Sequence, residues 1–265
     1  NAGQTPRLIA AKNPNSIRYH GSPSAEIDIF QAVREGKTNS VARLLQADAR
    51  LANATNQLGQ TPLRLAVTLR QTNVTALLEK KGAEWDAPSA VMAGRAEVLQ
   101  KILRKNPAAI TNTVNSKSLL HLAAGDGNAR IVQMLLDANA DPQAADGWGL
   151  SPLGRALLKQ QTNVVRLLRA HGAAENLFDA VYLGDAKTVS ALLAQNKALA
   201  KASNAMKISV VDIAAAAGSA EVLKLLLKHG GSANVPVITI PPSPIPRRIS
   251  PFYQGRSPLN LATFW

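Results

Sequence analysis

One pattern constrains this chain more than any other: an alanine recurs at nearly regular spacing, with an aliphatic residue twelve positions after it. The recurring alanines are Ala32, Ala66, Ala90, Ala123, Ala156, Ala180 and Ala214. The aliphatic residues are Leu44, Leu78, Ile102, Leu135, Leu168, Leu192 and Leu226. Successive alanines are 34, 24, 33, 33, 24 and 34 residues apart. A period in this range is typical of stacked structural repeats.

A single period, residues 118–141, shows what is repeated. A short apolar block, 119–123, is followed by a turn-forming block, 125–128, rich in glycine and asparagine. The aliphatic residues of the second block then follow helical spacing, at Ile131, Val132, Leu135 and Leu136. Each period therefore predicts two short helices. A pair this short cannot bury its apolar face alone and must stack on its neighbours.

Three stretches begin with Ser or Thr and end at one of the recurring alanines. They are Thr61–Ala66, Ser118–Ala123 and Ser151–Ala156, and the pattern resumes at 257–262. These stretches resemble the T-P-L-H-x-A signature of ankyrin repeats. The resemblance implies an all-α solenoid of stacked helix-turn-helix units with short β-hairpin fingers. It also implies a non-enzymatic surface that binds other proteins.

The repeats divide the chain into four expected segments. Residues 1–25 read as an extended basic arm, and 26–234 as about seven repeats. Residues 235–254 hold six prolines and break the period, which predicts a loop inserted where a finger belongs. Residues 255–265 begin an eighth repeat without its second helix. We therefore expect that the chain continues, or that a partner covers this end within a larger assembly.

Two of the repeats are short. Residues 83–88 and 173–178 leave no room for a finger, and the whole pattern recurs after about ninety residues, as from Ala90 to Ala180. The array resembles a bacterial type in which full and finger-less repeats alternate, here as a duplicated triplet. The resulting gaps in the row of fingers have two interpretations: a partner element lies in them, or they only record the duplication.

The charge balance points to partners that carry negative charge. The chain has 30 Lys and Arg against 17 Asp and Glu, a formal net charge of +13. Such a charge favours acidic proteins, nucleic acid or anionic polymers. Many basic residues fall at second-helix ends, where the helix dipole already explains them. Asn occurs near the finger tips, where the related repeats often carry Asp, and only Asp146 keeps an acidic tip.

The remaining basic residues, with Trp148 and the proline-rich loop, are the candidate partner-binding set. Trp148 is predicted at a finger tip, either exposed for a partner or packed on the adjacent finger. The loop is a recognition element or an insertion lying against the last repeat. The predicted partner-binding residues are Arg64, Arg70, Arg95, Lys117, Trp148, Arg155, Lys159, Lys207, Arg247, Arg248, Phe252 and Tyr253.

No pattern predicts a catalytic, cofactor or metal site, so we expect no enzyme and no cofactor. Cysteine is absent, and the four histidines show no metal-ligand spacing. His121 should bond locally to backbone, and His171 and His229 should be structural. No apolar stretch is long enough to cross a membrane. Asn1 leaves the compartment open: secreted or periplasmic if it is a mature N-terminus, otherwise cytoplasmic.

The function expected from the sequence is a protein-binding scaffold with an acidic or mixed partner. The alternative is binding of nucleic acid or of an anionic surface polymer. The alternative is less favoured because aromatic residues are few and are not interleaved with the basic ones.

Overall fold

The computed structural model describes the backbone of residues 8–9 and 16–19 and the chain from residue 27 to residue 232. The predicted segments 235–254 and 255–265 lie outside these residues. The described part is mostly helical, which confirms the all-α repeat fold expected from the sequence. Its residues fall into two compact units, one up to Pro107 and the other from Ala108 onward.

The first unit contains three helix pairs. Its helices are α1 (Ile29–Arg34), α2 (Thr38–Ala47), α3 (Pro62–Thr68), α4 (Thr72–Lys80), α5 (Ala87–Met92) and α6 (Ala96–Lys105). A 3-10 helix, Ala49–Asn53, follows α2. The first helices α1, α3 and α5 pack successively on one another, and α2 packs on α4. Three short antiparallel strands precede α1: β1 (Leu8–Ile9), β2 (Ser16–Tyr19) and β3 (Ile27–Asp28).

The second unit contains four helix pairs. Its helices are α7 (Leu119–Asp126), α8 (Ala129–Asp137), α9 (Pro152–Leu158), α10 (Thr162–Ala170), α11 (Leu177–Leu183), α12 (Ala186–Gln195), α13 (Val210–Ala216) and α14 (Ala220–Lys228). Two further 3-10 helices are Pro107–Thr111 and Lys197–Lys201. First helices again stack on first helices, as α7 on α9, and second helices on second helices, as α8 on α10.

The Ser/Thr-Pro-Leu phrases are helix starts. Thr61 and Ser151 are N-cap residues whose hydroxyls accept a hydrogen bond from a backbone N–H three residues later. Proline follows at the first helical position, where it has no helical hydrogen bond to lose. Gly127 ends α7 in the left-handed conformation, with φ at 75°, which glycine adopts without strain. The sequence phrase is therefore explained by local helix capping.

The recurring alanines are all buried, so the first helices pack closely on one another. The aliphatic residue twelve positions later is buried in five repeats, but Ile102 and Leu192 are only half-buried. On α6 the fully buried side chain is that of Leu99, and on α12 the fully buried side chains are those of Val189 and Leu193. Ile102 and Leu192 both belong to the finger-less repeats, so the expectation that the residue twelve positions after the alanine fills the seam is wrong there.

The fingers differ from the expected row of β-hairpins. Among the described residues, strands form in one finger, where β4 (Thr113–Val114) pairs with β5 (Lys117–Ser118). Its two tip residues, Asn115 and Ser116, have φ of 50° and 62°, as a two-residue type I′ turn requires. The finger at 202–209 has a single bridge between Ser203 and Ser209. The other two described fingers are turns whose conformation is held by a side chain.

Candidate functional site

A carboxylate or amide at the same position of three fingers holds the turn from inside. Asn56, Asp146 and Asn204 each lie ten residues before a recurring alanine. In each case Oδ1 accepts hydrogen bonds from the backbone N–H groups two and four residues later, at 2.8–3.1 Å. These side chains point inward rather than toward a partner. The residues that are free to contact a partner are therefore their neighbours in the turn.

Asp146 does not give its finger an acidic tip, which corrects the expectation from the sequence. Its side chain is fully buried, and its Oδ2 accepts two hydrogen bonds from the guanidinium of Arg155, one of them 2.8 Å long from Nε. Arg155 is itself buried, with 8% of the residue exposed. Arg155 was predicted to contact a partner, but its charge is already matched inside the repeat. Arg155 therefore holds the finger against α9.

His121 joins two neighbouring repeats. Its Nδ1 accepts a hydrogen bond from the backbone N–H of Ser118 at 3.2 Å, so the proton of the neutral ring is on Nε2. Nε2 donates to the carbonyl of Leu150, in the next finger, at 3.0 Å. Burial lowers the pKa of His121 and favours this neutral form. The local backbone bond expected from the sequence is confirmed, and the bond to Leu150 extends it to the neighbouring repeat.

The other described histidines close second helices. His171 Nδ1 donates to the carbonyl of Leu167, and His229 Nδ1 to that of Leu225, each at 2.9 Å. Both bonds satisfy carbonyls at a helix C-terminus, so the structural role expected for the two side chains is confirmed.

Three finger tips of the second unit meet at Gly147. A Cβ added there would lie 3.2 Å from Ser116 Cβ and 3.3 Å from Met206 Cε, so the tips of the neighbouring fingers close over this glycine. The side chain of Asn204 donates to the carbonyl of Trp148 at 3.3 Å. The finger at 202–209 thus extends across the finger-less repeat and occupies the gap expected there.

Trp148 is half-buried at the junction of these fingers. Its ring packs against the apolar core formed by α11 to α14, beside Leu150 and Phe178. It is therefore packed on its neighbours and also partly accessible. Of the two interpretations drawn from the sequence, the structure supports packing, and the exposed part of the ring remains a candidate contact.

Lys117 and Lys207 are predicted lysines in the finger tips that form this junction, and a third, Lys159, ends α9 near enough to Lys117 to lower its pKa. Lys159 and Lys207 are exposed, and Lys117 is half-buried. None of the three forms an ion pair with any residue between 27 and 232. Burial lowers the pKa of Lys117; the nearby charges of Arg155 and Lys159 act in the same direction, and those of Asp146 and Asp126 oppose it. An anionic group placed here would meet cations that have no partner of their own.

The predicted residues of the first unit lie in a different setting. Arg64 is mostly buried, and its Nε donates to Asp86 Oδ2 at 2.8 Å. Arg95 pairs with Glu79 and lies 5.7 Å from the ring centre of Trp85. Arg70 is exposed and adopts a left-handed conformation, with φ at 56°. Arg64 and Arg95 therefore have partners within the chain, whereas Arg70 forms no ion pair among the described residues. Arg70 and Arg95 are both exposed.

The structure adds exposed apolar side chains that the sequence reasoning missed. Met206 is 38% exposed beside Lys207, and Leu58, at the tip of the finger in the first unit, is 79% exposed. A signal was available in the sequence, since each lies two residues after the asparagine that fixes its turn. The predicted residues Arg247, Arg248, Phe252 and Tyr253 lie outside the described part of the chain.

No arrangement for metal binding is found among the described residues, where no three His, Asp or Glu side chains lie close enough to share an ion. Over the same residues, no helix has the length and apolar character needed to span a membrane. The candidate site is thus a protein surface: the finger tips of the second unit, defined by Ser116, Lys117, Gly147, Trp148, Met206 and Lys207.

Comparison with known families agrees with this architecture. Residues 88–179 match the family model described as ankyrin repeats in three copies. The matched region contains the junction of α7 and α9 and the finger that carries Trp148.

Several known proteins are similar to parts of the chain. It is 26% identical over 182 residues to a transient receptor potential cation channel subfamily A member 1 homolog from Caenorhabditis elegans, a match that covers 61% of this chain and 15% of that protein. It is 30% identical over 153 residues to the mouse B-cell lymphoma 3 protein homolog, covering 51% of this chain and 34% of that protein. A probable E3 ubiquitin-protein ligase XBOS31 from rice is 28% identical over 139 residues, covering 48% of this chain and 31% of that protein. The chain thus spans about a third or less of these relatives.

Proposed function

Because this chain carries ankyrin repeats, which generally mediate protein–protein interaction, we propose that it is a non-enzymatic scaffold that binds a protein partner. The partner has an acidic or mixed surface and lies against the fingers and first helices. The scaffold acts as a subunit or domain of a larger complex. The channel, the ligase and the mouse protein above are similar over a repeat region only, so their activities are not carried over to this chain.

The observation that carries the proposal is the charge at the fingers of the second unit. Lys117 and Lys207 on the fingers, and Lys159 at the end of α9, form no ion pair among the described residues, while the acidic residue of the tip, Asp146, is turned into the core. An acidic surface would gain attraction there without meeting an exposed tip carboxylate. Complementary charge of this kind favours rapid and selective encounter.

An affinity capture from an extract of the source cells tests the proposal. The tagged chain is incubated with nuclease-treated extract, washed at low and at high salt, and the retained proteins are identified by mass spectrometry. We expect a defined protein to be retained through the high-salt wash. Retention of only nuclease-sensitive or salt-sensitive material would contradict the scaffold proposal.

The net charge of +13 supports a second candidate, binding to a polyanion such as nucleic acid or an anionic surface polymer. Neutralising phosphates or sulfates releases counterions, so affinity would fall steeply with salt. Titration with heparin and with duplex DNA over a range of salt concentrations tests it. A weak response to salt would contradict this alternative.

A further inference from the structure

We propose that three finger tips of the second unit form one continuous platform, and that this platform binds an acidic peptide segment carrying an apolar side chain. The platform consists of residues 115–117, 147–148 and 206–207. This inference rests on the proposed function and specifies its partner.

The platform is continuous because one repeat lacks a finger. In the second unit, the connection between α10 and α11 has no room for a finger, so the next finger along the chain reaches back to the one that carries Trp148. Asn204 bonds to the carbonyl of Trp148, and the end of Met206 lies close to Gly147. On the other side, Ser116 closes against the same glycine. Three tips separated in sequence thus share one surface.

The chemistry of the platform is apolar at the centre and cationic at the edges. Met206 is 38% exposed and Trp148 is half-buried, so each offers part of an apolar side chain to solvent. Lys207 follows Met206 in the chain, and Lys117 follows Ser116. Methionine adapts its shape to different apolar groups, and lysines attract carboxylates without fixing their geometry. A segment with one apolar side chain between acidic residues fits this arrangement.

The platform is already ordered. The turn at 204–208 is held by the Asn204 side chain, and the turn at 146–150 by Asp146, which is in turn held by Arg155. The hairpin at 113–118 is closed by paired strands. A surface that is fixed before binding loses little conformational freedom when a partner docks, and more of the contact energy appears as affinity.

Synthetic peptides test the proposed chemistry. Three labelled probes of equal length are compared by fluorescence anisotropy with the full chain: an acidic peptide with a central leucine, the same peptide with serine in its place, and a basic peptide with the leucine. We expect the first to bind most tightly, with at least about fivefold weaker binding for the serine form. Equal binding of the acidic pair, or no binding of either, overturns the proposal.

Matched variants test the location. Lys117→Gln/Lys207→Gln removes two charges from the platform, and Lys187→Gln/Lys224→Gln removes two from exposed positions on the second helices α12 and α14. We expect the platform variant to bind the acidic leucine peptide about tenfold more weakly. The control variant should change the affinity by less than about twofold. Equal losses in both variants would show delocalised attraction and overturn the platform.

Met206→Gln tests the apolar part. The substitution should weaken binding of the leucine peptide several-fold and leave binding of the serine peptide unchanged, because in the proposed complex Met206 contacts only the apolar side chain. A single-stranded DNA oligonucleotide of random sequence is titrated in parallel. Tighter binding of the DNA than of the peptide, lost in Lys117→Gln/Lys207→Gln, would assign the same surface to nucleic acid and overturn the peptide proposal.

The test also separates this inference from the proposed function. A protein captured from extract that binds Lys117→Gln/Lys207→Gln and the unchanged chain equally would leave the scaffold function standing and overturn the platform. If no protein is captured through high salt, the scaffold function itself fails.

Discussion

Asp146 and Arg155 are both charged, whereas the residues at the same positions are Asn56 with Leu65 in one finger-bearing repeat and Asn204 with Ile213 in another. In the fingers at Asn56 and Asn204, an amide holds the same turn without a buried charge. Burying a charge is tolerated only when it is paired and hydrogen-bonded, as here by the guanidinium of Arg155. The conformation of the turn at 146–150 therefore depends on two charged side chains, whereas each of the turns at Asn56 and Asn204 is held by one amide side chain.

Asp146→Asn should keep the turn but leave Arg155 buried without its counter-charge. We expect a loss of about 3–5 kcal/mol in the free energy of unfolding, measured by urea denaturation followed by circular dichroism. Replacing both residues, as Asp146→Asn/Arg155→Met, should cost less than Asp146→Asn alone, because no unpaired charge remains. A double variant no better than the single one would show that the carboxylate acts through the turn and not through the ion pair.

His121 predicts a dependence of stability on pH. Because burial lowers its pKa in the folded state, the unfolded chain binds more protons below the ordinary value of 6.5. The stability contributed by the neutral ring is therefore fully present above that value and is lost as the pH falls below it. Protonation of His121 at Nδ1 would also direct a second N–H of the ring at the backbone N–H of Ser118, and the hydrogen bond between them would be lost.

Thermal unfolding between about pH 7.5 and pH 5 measures this effect, since the imidazole of the unfolded chain titrates in that range. His121→Asn should be less stable than the unchanged chain at neutral pH, with a smaller decline toward acid. His171→Gln is the control and should retain the full decline. An identical pH profile for His121→Asn and the unchanged chain would contradict the assignment.

Gly154 and Arg64 occupy equivalent positions in the two copies of the triplet, ninety residues apart. In the first copy Arg64 reaches the carboxylate of Asp86, the N-cap of α5. In the second copy the carboxylate is on Asp179, three residues further into α11 than the equivalent of Asp86, and it bonds to Ser151 at 2.6 Å and 2.9 Å. A Cβ at position 154 would overlap this carboxylate, so only glycine fits.

Gly154→Ala should therefore lower the free energy of unfolding by about 1–3 kcal/mol, as overpacking does. Gly125→Ala is a matched control in a neighbouring first helix, where an added Cβ meets nothing within 4 Å. That change should be neutral or stabilising by up to about 1 kcal/mol. Equal effects of the two substitutions in urea denaturation would contradict the steric argument.

At the scale of elements, the helices were predictable and the finger contacts were not. Capping phrases such as Ser151–Ala156 and the buried alanines follow from local rules of helix formation, which the sequence displays directly. The Asp146 side chain points inward, where it pairs with Arg155, nine residues further along the chain. The bond from Asn204 to the carbonyl of Trp148 depends on the absence of a finger between them. Such contacts follow from packing, which a linear pattern does not encode.

The closed fingers predict a cross-link. The chain contains no cysteine, so Ser116→Cys/Gly147→Cys introduces the only thiols. The 3.2 Å between Ser116 Cβ and an added Cβ at position 147 is slightly shorter than the usual disulfide separation, and a small shift would accommodate the bond. We expect rapid loss of both free thiols in the monomeric chain under mild oxidation. Each single-cysteine variant is the control, and persistent thiols in the monomeric double variant would contradict the contact.

At the scale of the whole molecule, the net charge of +13 acts at a distance, whereas the platform acts by contact. Binding to heparin should therefore depend on how many exposed lysines are removed and little on which ones. We expect Lys117→Gln/Lys207→Gln and Lys187→Gln/Lys224→Gln to elute from immobilised heparin at similarly reduced salt concentrations. Elution at clearly different salt would show that polyanions, too, prefer one face.

The finger that crosses the finger-less repeat also changes how the second unit should unfold. In an ordinary array each repeat is stabilised only by its immediate neighbours, so repeats at an end can fray one at a time. Here the pair α13–α14 is tied through Asn204 to the finger that precedes α9, past the pair α11–α12 that lies between them. This adds a coupling between second neighbours. Opening of the last described repeat should therefore destabilise the repeat that contains α9. The second unit should unfold more cooperatively than its number of repeats alone implies.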